Sequence, residues 1–210
     1  MKTELIIFDF AGTLAFSRMI SFEEFFYGLA ETGFKLKAQD DAQKIGSIFP
    51  QLFGSATNWL DLAKQFSSAL AKEPGKIDAE KLARCFEKAL SFKAFSDTKA
   101  AMALPIKKVI LTAGNHFSVD IPDVAEAEIF TPLETKYLKP DPKAYLFVLD
   151  KMGVNPQNTI MVGDEICRDL ISALGLGMKA ILIDRENKCL EVPPGIIKIS
   201  SLEDLKNYLD

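Results

Sequence analysis

The chain has 210 residues, 48% of them hydrophobic and 26% charged, a composition typical of a globular protein with a sizeable core. A net charge of −4 provides no positive field, so we expect neither nucleic acid nor a membrane as a partner. Three scattered cysteines give no support to a disulfide framework or a zinc site, and no apolar run reaches the roughly 18 residues of a membrane span, which together favour a cytoplasmic protein.

The first predicted element is a strand over residues 4–10, Glu-Leu-Ile-Ile-Phe-Asp-Phe. Most of its residues are β-branched or aromatic and lie on both faces, which is typical of a central strand in a parallel sheet. The small residues Ala11, Gly12 and Thr13 then break the run.

Residues 16–92 have a helical rather than a strand period. Phe22, Phe25, Phe26 and Leu29 fall at positions i, i+3, i+4 and i+7 of one helix face, and we expect this stripe to pack in a core. Further helices are predicted over residues 39–49, 57–72 and 78–91, separated by Pro50, Gly54 and Pro74-Gly75.

Strands and helices alternate after residue 105. Apolar runs predict strands over residues 107–112, 128–131, 159–163, 179–183 and 196–199. Helices are predicted over residues 141–152 and 166–174, and a closing helix from Ser200 with Glu203 completing a capping box. The alternation predicts an α/β fold, a doubly wound parallel sheet, with residues 1–15 and 93–210 as the core domain and residues 16–92 as an inserted helical cap.

Polar residues follow several of these strands, and ligands of open parallel sheets bind at the carboxyl ends of the strands. Asp9 ends the first strand and Thr112 the second, while Asp164 ends a later one, with Asp169 five positions on. Two carboxylates beside small residues make an oxygen-ligand site suited to Mg²⁺. A strand-end aspartate can also be the nucleophile that forms an aspartyl-phosphate. Each aspartate alone fits a helix N-cap as well, but their joint placement favours a site.

The motifs at these positions resemble those of the haloacid dehalogenase-like superfamily. Residues 6–14, Ile-Ile-Phe-Asp-Phe-Ala-Gly-Thr-Leu, resemble its first motif, hydrophobic residues followed by Asp-x-Asp-Gly-Thr-Leu. Residues 109–112 resemble its second motif, residues 139–142 its lysine motif, and residues 162–165 with Asp169 its fourth. The motifs occur in family order, and the helical insertion lies where members with an α-helical cap carry theirs.

The resemblance implies a magnesium-dependent hydrolase with Asp9 as both nucleophile and metal ligand. The backbone carbonyl of Ala11 and the carboxylate of Asp164 would complete the protein ligands. Asp169 would orient Asp164 without binding the metal itself. The implied reaction is hydrolysis of a small phosphorylated metabolite through a phosphoaspartyl intermediate.

The same resemblance implies a phosphate site around the second and third motifs. Thr112 would donate a hydrogen bond to a phosphoryl oxygen, with Ala113 and Gly114 in the same phosphate-binding loop. Lys139 would hold Asp9 and the phosphate by charge. A transferring phosphoryl group carries negative charge on its equatorial oxygens, so metal, lysine and hydroxyl must converge on it.

One position departs from the family pattern. The phosphatases carry a second aspartate two residues after the nucleophile, which acts as general acid and then as general base. This chain has Ala11 there, whose side chain cannot transfer a proton. The dehalogenases usually carry tyrosine at this position, and their last motif differs from Gly163-Asp164.

Two alternatives therefore stay open beside the phosphatase. Phosphonate hydrolases of the family also have alanine at this position and form a Schiff base on a cap lysine, for which Lys44 is the nearest candidate, followed by Lys35, Lys37 and Lys64. None of these lysines lies in a matching local motif. The other alternative is a relative that binds Mg²⁺ and phosphate without turnover. The sequence also leaves open whether His116, the one histidine, is a base or an ordinary loop residue.

Overall fold

The computed structural model describes residues 2–17, 22–34, 40–71, 73–119 and 121–209, with helix residues 22–24, 26 and 40–44 in their backbone only. Contacts between Cα atoms divide the chain into two units. The first comprises Met1–Phe16, Lys93–Ala113 and Asp120–Asp210, and the second comprises Ser17–Phe92 and Gly114–Val119.

The first unit is built on a parallel sheet. The strands of the described chain are β1 (Leu5–Phe8), β2 (Ala15–Ser17), β3 (Phe92–Ala94), β4 (Lys107–Leu111), β5 (Glu128–Phe130), β6 (Thr159–Gly163), β7 (Lys179–Ile183) and β8 (Ile196–Ile199). Six of them form one sheet in the order β5-β4-β1-β6-β7-β8, in which every pair is parallel. The remaining two, β2 and β3, pair in a separate sheet.

Helices connect these strands. They are α1 (Phe22–Glu31), α2 (Asp40–Ser55), α3 (Trp59–Leu70), α4 (Ala79–Ala89), α5 (Thr98–Met102), α6 (Pro132–Thr135), α7 (Pro142–Met152) and α8 (Ile171–Gly175). The chain runs outward from β1 to β5 on one side and from β6 to β8 on the other, which confirms the predicted doubly wound α/β fold. Within the described ranges, no helix is long and apolar enough to span a membrane.

Strand β1 occupies the middle of the sheet and is buried throughout. Phe8 is aligned with Ile110 of β4 and Val162 of β6. Leu5 and Ile7 belong to the core cluster that contains α7, and all three strands are apolar on both faces. This burial on both sides accounts for the continuous hydrophobic run that the sequence shows there.

The predicted break at Pro50 is wrong, because α2 continues through this residue to Ser55. A proline inside a helix removes one backbone hydrogen bond and normally kinks or ends the helix. Here the residues beyond it are packed: Phe53 stacks on Phe49 with ring centroids 5.6 Å apart, and Leu52 lies against the same apolar cluster. Tertiary packing of the last turn therefore outweighs the local preference of proline.

Two further predicted helices differ in type or position. The segment predicted as a helix from residue 166 begins as a π-helical turn, Ile166–Leu170, before α8. The closing helix is a 3₁₀ helix, Leu202–Tyr208, and its capping box joins Ser201 to Asp204 rather than Ser200 to Glu203. The cap lies one residue later because Asp97 Oδ2 accepts from the Ser201 hydroxyl at 3.2 Å and from the Leu202 N–H at 2.9 Å, which holds the start of the helix there.

The second unit packs its helices around aromatic side chains. Phe66 of α3 lies edge-on to Phe86 of α4 at 5.1 Å, and Phe34 lies 5.3 Å from Phe66. Leu29 is fully buried and Phe25 packs against the cluster, as the stripe predicts, whereas the side chains of Phe22 and Phe26 lie outside the described residues.

Residues 114–119 also belong to this unit, although the predicted boundaries placed them in the core domain. The Asn115 side-chain amide donates to the Phe53 carbonyl at 2.6 Å. Phe117 lies edge-on to Trp59 with centroids 4.5 Å apart. These contacts explain the grouping, and nothing in the local sequence indicates them.

Candidate active site

Parallel strands bring the predicted polar residues to one edge of the sheet. Asp9 follows β1, and its backbone N–H donates to the Val162 carbonyl of β6 at 2.9 Å. Thr112 follows β4 and donates its backbone N–H to Phe130 of β5 at 3.0 Å. Both side chains are largely buried. Because β4 and β6 flank β1, Thr112 and Asp164 end on either side of Asp9.

Lys139 joins two carboxylates. It lies in the loop between α6 and α7, and its side chain is 1% exposed. Its ammonium donates to Asp9 Oδ1 at 2.5 Å and to Asp169 Oδ1 at 2.7 Å. Sequence reasoning paired Lys139 with Asp9, but not with Asp169.

Asp9, Asp164 and Asp169 form a cluster of carboxylates whose ligand atoms all lie within 4.8 Å of one another. Burial raises the pKa of Asp9 to about 7, and the charges of Asp169 and Asp164 add to the rise while Lys139 opposes it. Burial and the charge of Asp169 also raise the pKa of Asp164. Burial acts to lower the pKa of Lys139, but the two carboxylates more than compensate and raise it, so the lysine stays protonated. The raised pKa values of Asp9 and Asp164 thus reflect burial and the close approach of three carboxylates.

The turn after β1 lies directly against Asp164. Gly12 has a φ of +88°, and a Cβ atom built on it would lie 2.1 Å from Asp164 Oδ2. The Thr13 hydroxyl donates to Asp164 Oδ1 at 3.3 Å. Only glycine fits at position 12, both for its backbone conformation and for this close approach. The small residues of the turn thus make room for a carboxylate of the site itself.

Asp169 is tied to the protein through both carboxylate oxygens. Oδ1 accepts from Lys139, and Oδ2 accepts from the Glu165 backbone N–H at 3.2 Å. The Tyr145 hydroxyl donates to the Asp169 carbonyl at 3.0 Å. Gly163 packs beside it, since a Cβ there would lie 2.5 Å from the Asp169 Cβ. Asp169 is fully buried and Asp164 is not, so Asp164 is the more accessible of the two to a cation.

The remaining predicted residues are Ala113, Gly114, His116 and the lysines of the predicted cap. Ala113 is the last residue of a segment of the first unit, and Gly114 is the first residue of a segment of the second. The phosphate contacts of Ala113 and Gly114 stay predictions. His116 is exposed on a short 3₁₀ turn. Lys64 is exposed on α3, whereas Lys35, Lys37 and the Lys44 side chain lie outside the described residues.

The family model for haloacid dehalogenase-like hydrolases matches residues 3–177. The chain belongs to this family. The matched region contains all four motifs from which the family was predicted.

Curated relatives of this haloacid dehalogenase-like hydrolase differ in how much of the chain they match. A haloacid dehalogenase-like hydrolase domain-containing protein 3 of Danio rerio is 24% identical over 200 residues, covering 83% of this chain and 78% of that protein. A phospholysine phosphohistidine inorganic pyrophosphate phosphatase of Xenopus laevis is 38% identical over 45 residues. That second match covers 21% of this chain and only 17% of the relative's own length.

Solved structures show the same fold over almost the full length. A 2-haloacid dehalogenase from Pseudomonas syringae pv. tomato has a TM-score of 0.70 at 20% identity, covering 99% of this chain and 98% of that one. A phosphatase of the family from Thermococcus onnurineus has a TM-score of 0.62 at 21% identity, with the same coverage of 99% and 98%. A Bacillus subtilis family hydrolase bound to magnesium has a TM-score of 0.57 at 18% identity and covers both chains fully.

Proposed function

We propose that this hydrolase cleaves a small phosphoric monoester in a magnesium-dependent reaction, with Asp9 as the nucleophile. The observation that carries the proposal is the Lys139 ammonium, which bonds Asp9 and Asp169 in a cluster that also contains Asp164. A buried carboxylate fixed by a cation at a strand end is positioned for attack. In this proposal the first unit is the core that performs the chemistry, and the second is the cap that selects the substrate.

The donor atoms of the cluster fit a hard divalent cation. Three carboxylates share one ammonium, which leaves negative charge uncompensated, and oxygen ligands are those that Mg²⁺ prefers. Asp9, Asp164 and the Ala11 carbonyl would hold the ion. Asp169 would orient these ligands without binding the ion itself. Bound Mg²⁺ would supply neutralisation of the charge on the phosphoryl oxygens.

The first step transfers the phosphoryl group to Asp9. Because Oδ1 accepts from Lys139, we assign the attack to Oδ2. A bond forms between this oxygen and phosphorus while the ester P–O bond breaks, and the electron pair leaves with the substrate oxygen. Lys139 and the Thr112 hydroxyl would stabilise the charge of the phosphoryl oxygens in the transition state.

The second step returns Asp9 to its starting state. Water attacks phosphorus, the Asp9–phosphorus bond breaks, and inorganic phosphate leaves. Both steps need a proton transfer, and Ala11 cannot provide it because its side chain has no ionisable group. The protonation of the leaving group and the deprotonation of water must then come from substrate or solvent. We therefore propose monoesters whose leaving groups need little protonation, such as aryl phosphates.

Dehalogenation fits the residues less well, although dehalogenases are among the similar structures. By the resemblance, dehalogenases usually carry tyrosine at the position that corresponds to Ala11, and their last motif differs. This chain has Ala11 and the Gly163-Asp164 pair, whose carboxylate adds to the cation site. Similarity of fold at 20% identity does not decide between the reactions.

A screen of aryl phosphates, alkyl phosphates, phosphonates and 2-haloacids, with Mg²⁺ and after chelation, tests the proposal. We expect magnesium-dependent release of phosphate from aryl phosphates, abolished in Asp9→Asn. Cleavage of phosphonates together with a lysine adduct trapped by borohydride would replace the proposal with carbon–phosphorus chemistry. Magnesium and phosphate binding without turnover on any ester would assign the protein to the non-catalytic alternative.

A further inference from the structure

Arg185, in the loop after β7, connects distant segments through one nitrogen. Its Nη2 donates to the Thr13 carbonyl at 2.9 Å and to Asp97 Oδ1 at 2.8 Å. The guanidinium also lies 4.0 Å from the centroid of the Phe95 ring. The turn after β1 is thereby attached to the segment that precedes α5 and to the end of β7.

Asp97 is a fixed anchor for this arginine. The carboxylate is mostly buried, and its other oxygen, Oδ2, accepts from the Leu202 backbone N–H at 2.9 Å and from the Ser201 hydroxyl at 3.2 Å. These donors belong to the cap of the closing 3₁₀ helix. Arg185 therefore cannot shift without breaking an ion pair that is itself held from a second direction.

Thr13 links this anchor to the carboxylate cluster. Its carbonyl accepts from Arg185, and its hydroxyl donates to Asp164 Oδ1. The neighbouring residue is held as well, because the Leu14 carbonyl accepts from the Phe95 backbone N–H at 3.0 Å. One residue thus has its backbone fixed by an arginine and its side chain on a proposed metal ligand.

Arg185 is not fully satisfied at this position. Its Nη1 is buried and has no hydrogen-bond partner among the residues that the structure describes. A buried donor without a partner opposes folding. The ion pair with Asp97 and the contact with Phe95 offset that cost, so the arginine is held by the groups that bring it to Thr13.

We propose that Arg185, anchored on Asp97, is a positioning residue that fixes the turn over residues 11–14 and, through Thr13, the Asp164 carboxylate. The inference concerns the geometry of the turn, and its consequence for Mg²⁺ rests on the function proposed above. Groups that orient metal ligands commonly change metal affinity by about 10–100-fold when removed, and we expect about tenfold here.

The test compares Arg185→Met with Arg185→Lys and with Ser201→Ala in the full chain. Ser201→Ala is the matched control, because it removes one hydrogen bond to Asp97 Oδ2 but leaves the Leu202 N–H on that oxygen and the bonds from Arg185 to Asp97 and Thr13 in place. Hydrogen exchange of the peptide over residues 10–15 is measured without metal, and Mg²⁺ affinity is measured by calorimetry. Thermal unfolding of each variant gives the accompanying loss of stability.

Arg185→Met is expected to lose protection in residues 10–15 and to bind Mg²⁺ about tenfold more weakly. Arg185→Lys should recover part of both, and Ser201→Ala should keep both although it loses a helix cap and some stability. Unchanged protection in Arg185→Met, or equal losses in Ser201→Ala, would overturn the inference. If the unaltered protein binds no Mg²⁺, the proposed function fails, while hydrogen exchange still decides the role of Arg185.

Discussion

The ammonium of Lys139 lies between Asp9 and Asp169, donating to one oxygen of each within 2.7 Å. The three charges are almost completely removed from solvent. Such an arrangement orients Asp9, and in the proposed reaction its second oxygen attacks phosphorus. It also makes the charge balance of the site depend on a single lysine, and this dependence can be measured.

Replacing Lys139 with methionine should lower both stability and activity. Removal of one partner from a buried ion pair leaves uncompensated charge and typically costs about 3–5 kcal/mol. Urea denaturation without metal should show a loss of that order, with Lys151→Met, an exposed lysine on α7, as the control. Adding Asp169→Asn to Lys139→Met should recover part of the stability but none of the activity. If Lys139→Met were as stable as Lys151→Met, the assigned role of Lys139 in charge balance would be refuted.

Asp164→Asn should weaken Mg²⁺ binding without changing the size of the side chain. Replacing a residue that contacts a metal ligand, but not the metal itself, typically lowers metal affinity about 10–100-fold. Loss of the charge on a ligand should lower it at least as much. Calorimetric titration measures this, and Asp150→Asn, an exposed aspartate on α7, controls for the change in net charge. Equal affinities in the two variants would remove Asp164 from the proposed metal site.

Gly12→Ala should disturb the site more than a matched glycine replacement elsewhere. The left-handed backbone conformation costs a residue with a Cβ about 1–2 kcal/mol. Gly153 shares a positive φ, +65°, but a Cβ there meets nothing within 4 Å, whereas at Gly12 it would collide with Asp164. Gly153→Ala should therefore lose stability alone, and Gly12→Ala should lose Mg²⁺ affinity in addition. Identical magnesium titrations for both would contradict the contact between Gly12 and Asp164.

Ala11→Asp should restore proton transfer to the leaving group. A positioned acid or base is typically worth about 10²–10⁴ in rate, so alkyl phosphates should gain most and aryl phosphates little. The measurement is the slope of log kcat/KM against leaving-group pKa in both proteins. We expect a steep slope in the natural chain and a shallower one in the variant. Fast alkyl phosphate turnover in the natural chain would mean that another residue supplies the proton.

The sequence predicts the ends of strands well but not the partners of the residues there. Asp9, Thr112 and Asp164 are found from apolar runs that stop at a polar residue, because a buried strand makes a local signal. The bond from Lys139 to Asp169 spans 30 residues, and that from Arg185 to Thr13 spans 172. Such contacts depend on how distant segments pack, which no local pattern records.

Local preference also fails where packing opposes it. Pro50 is a helix breaker by its chemistry, yet α2 continues because Phe53 stacks on Phe49. The closing helix begins one residue later than its Ser–Glu spacing predicts because Asp97 accepts from Ser201 and Leu202. In both cases the contacts of the folded chain outweigh a local preference of a few residues.

A covalent phosphoryl group on Asp9 tests the central claim most directly. The protein is mixed with an aryl phosphate and Mg²⁺, quenched in acid within one turnover, digested and analysed by mass spectrometry. Because Ala11 offers no base for the second step, the intermediate should accumulate. We predict one phosphoryl group on the peptide that contains Asp9, absent without Mg²⁺ and absent in Asp9→Asn. Phosphate release at an undiminished rate in Asp9→Asn, or a phosphoryl group on any other residue, would contradict the account.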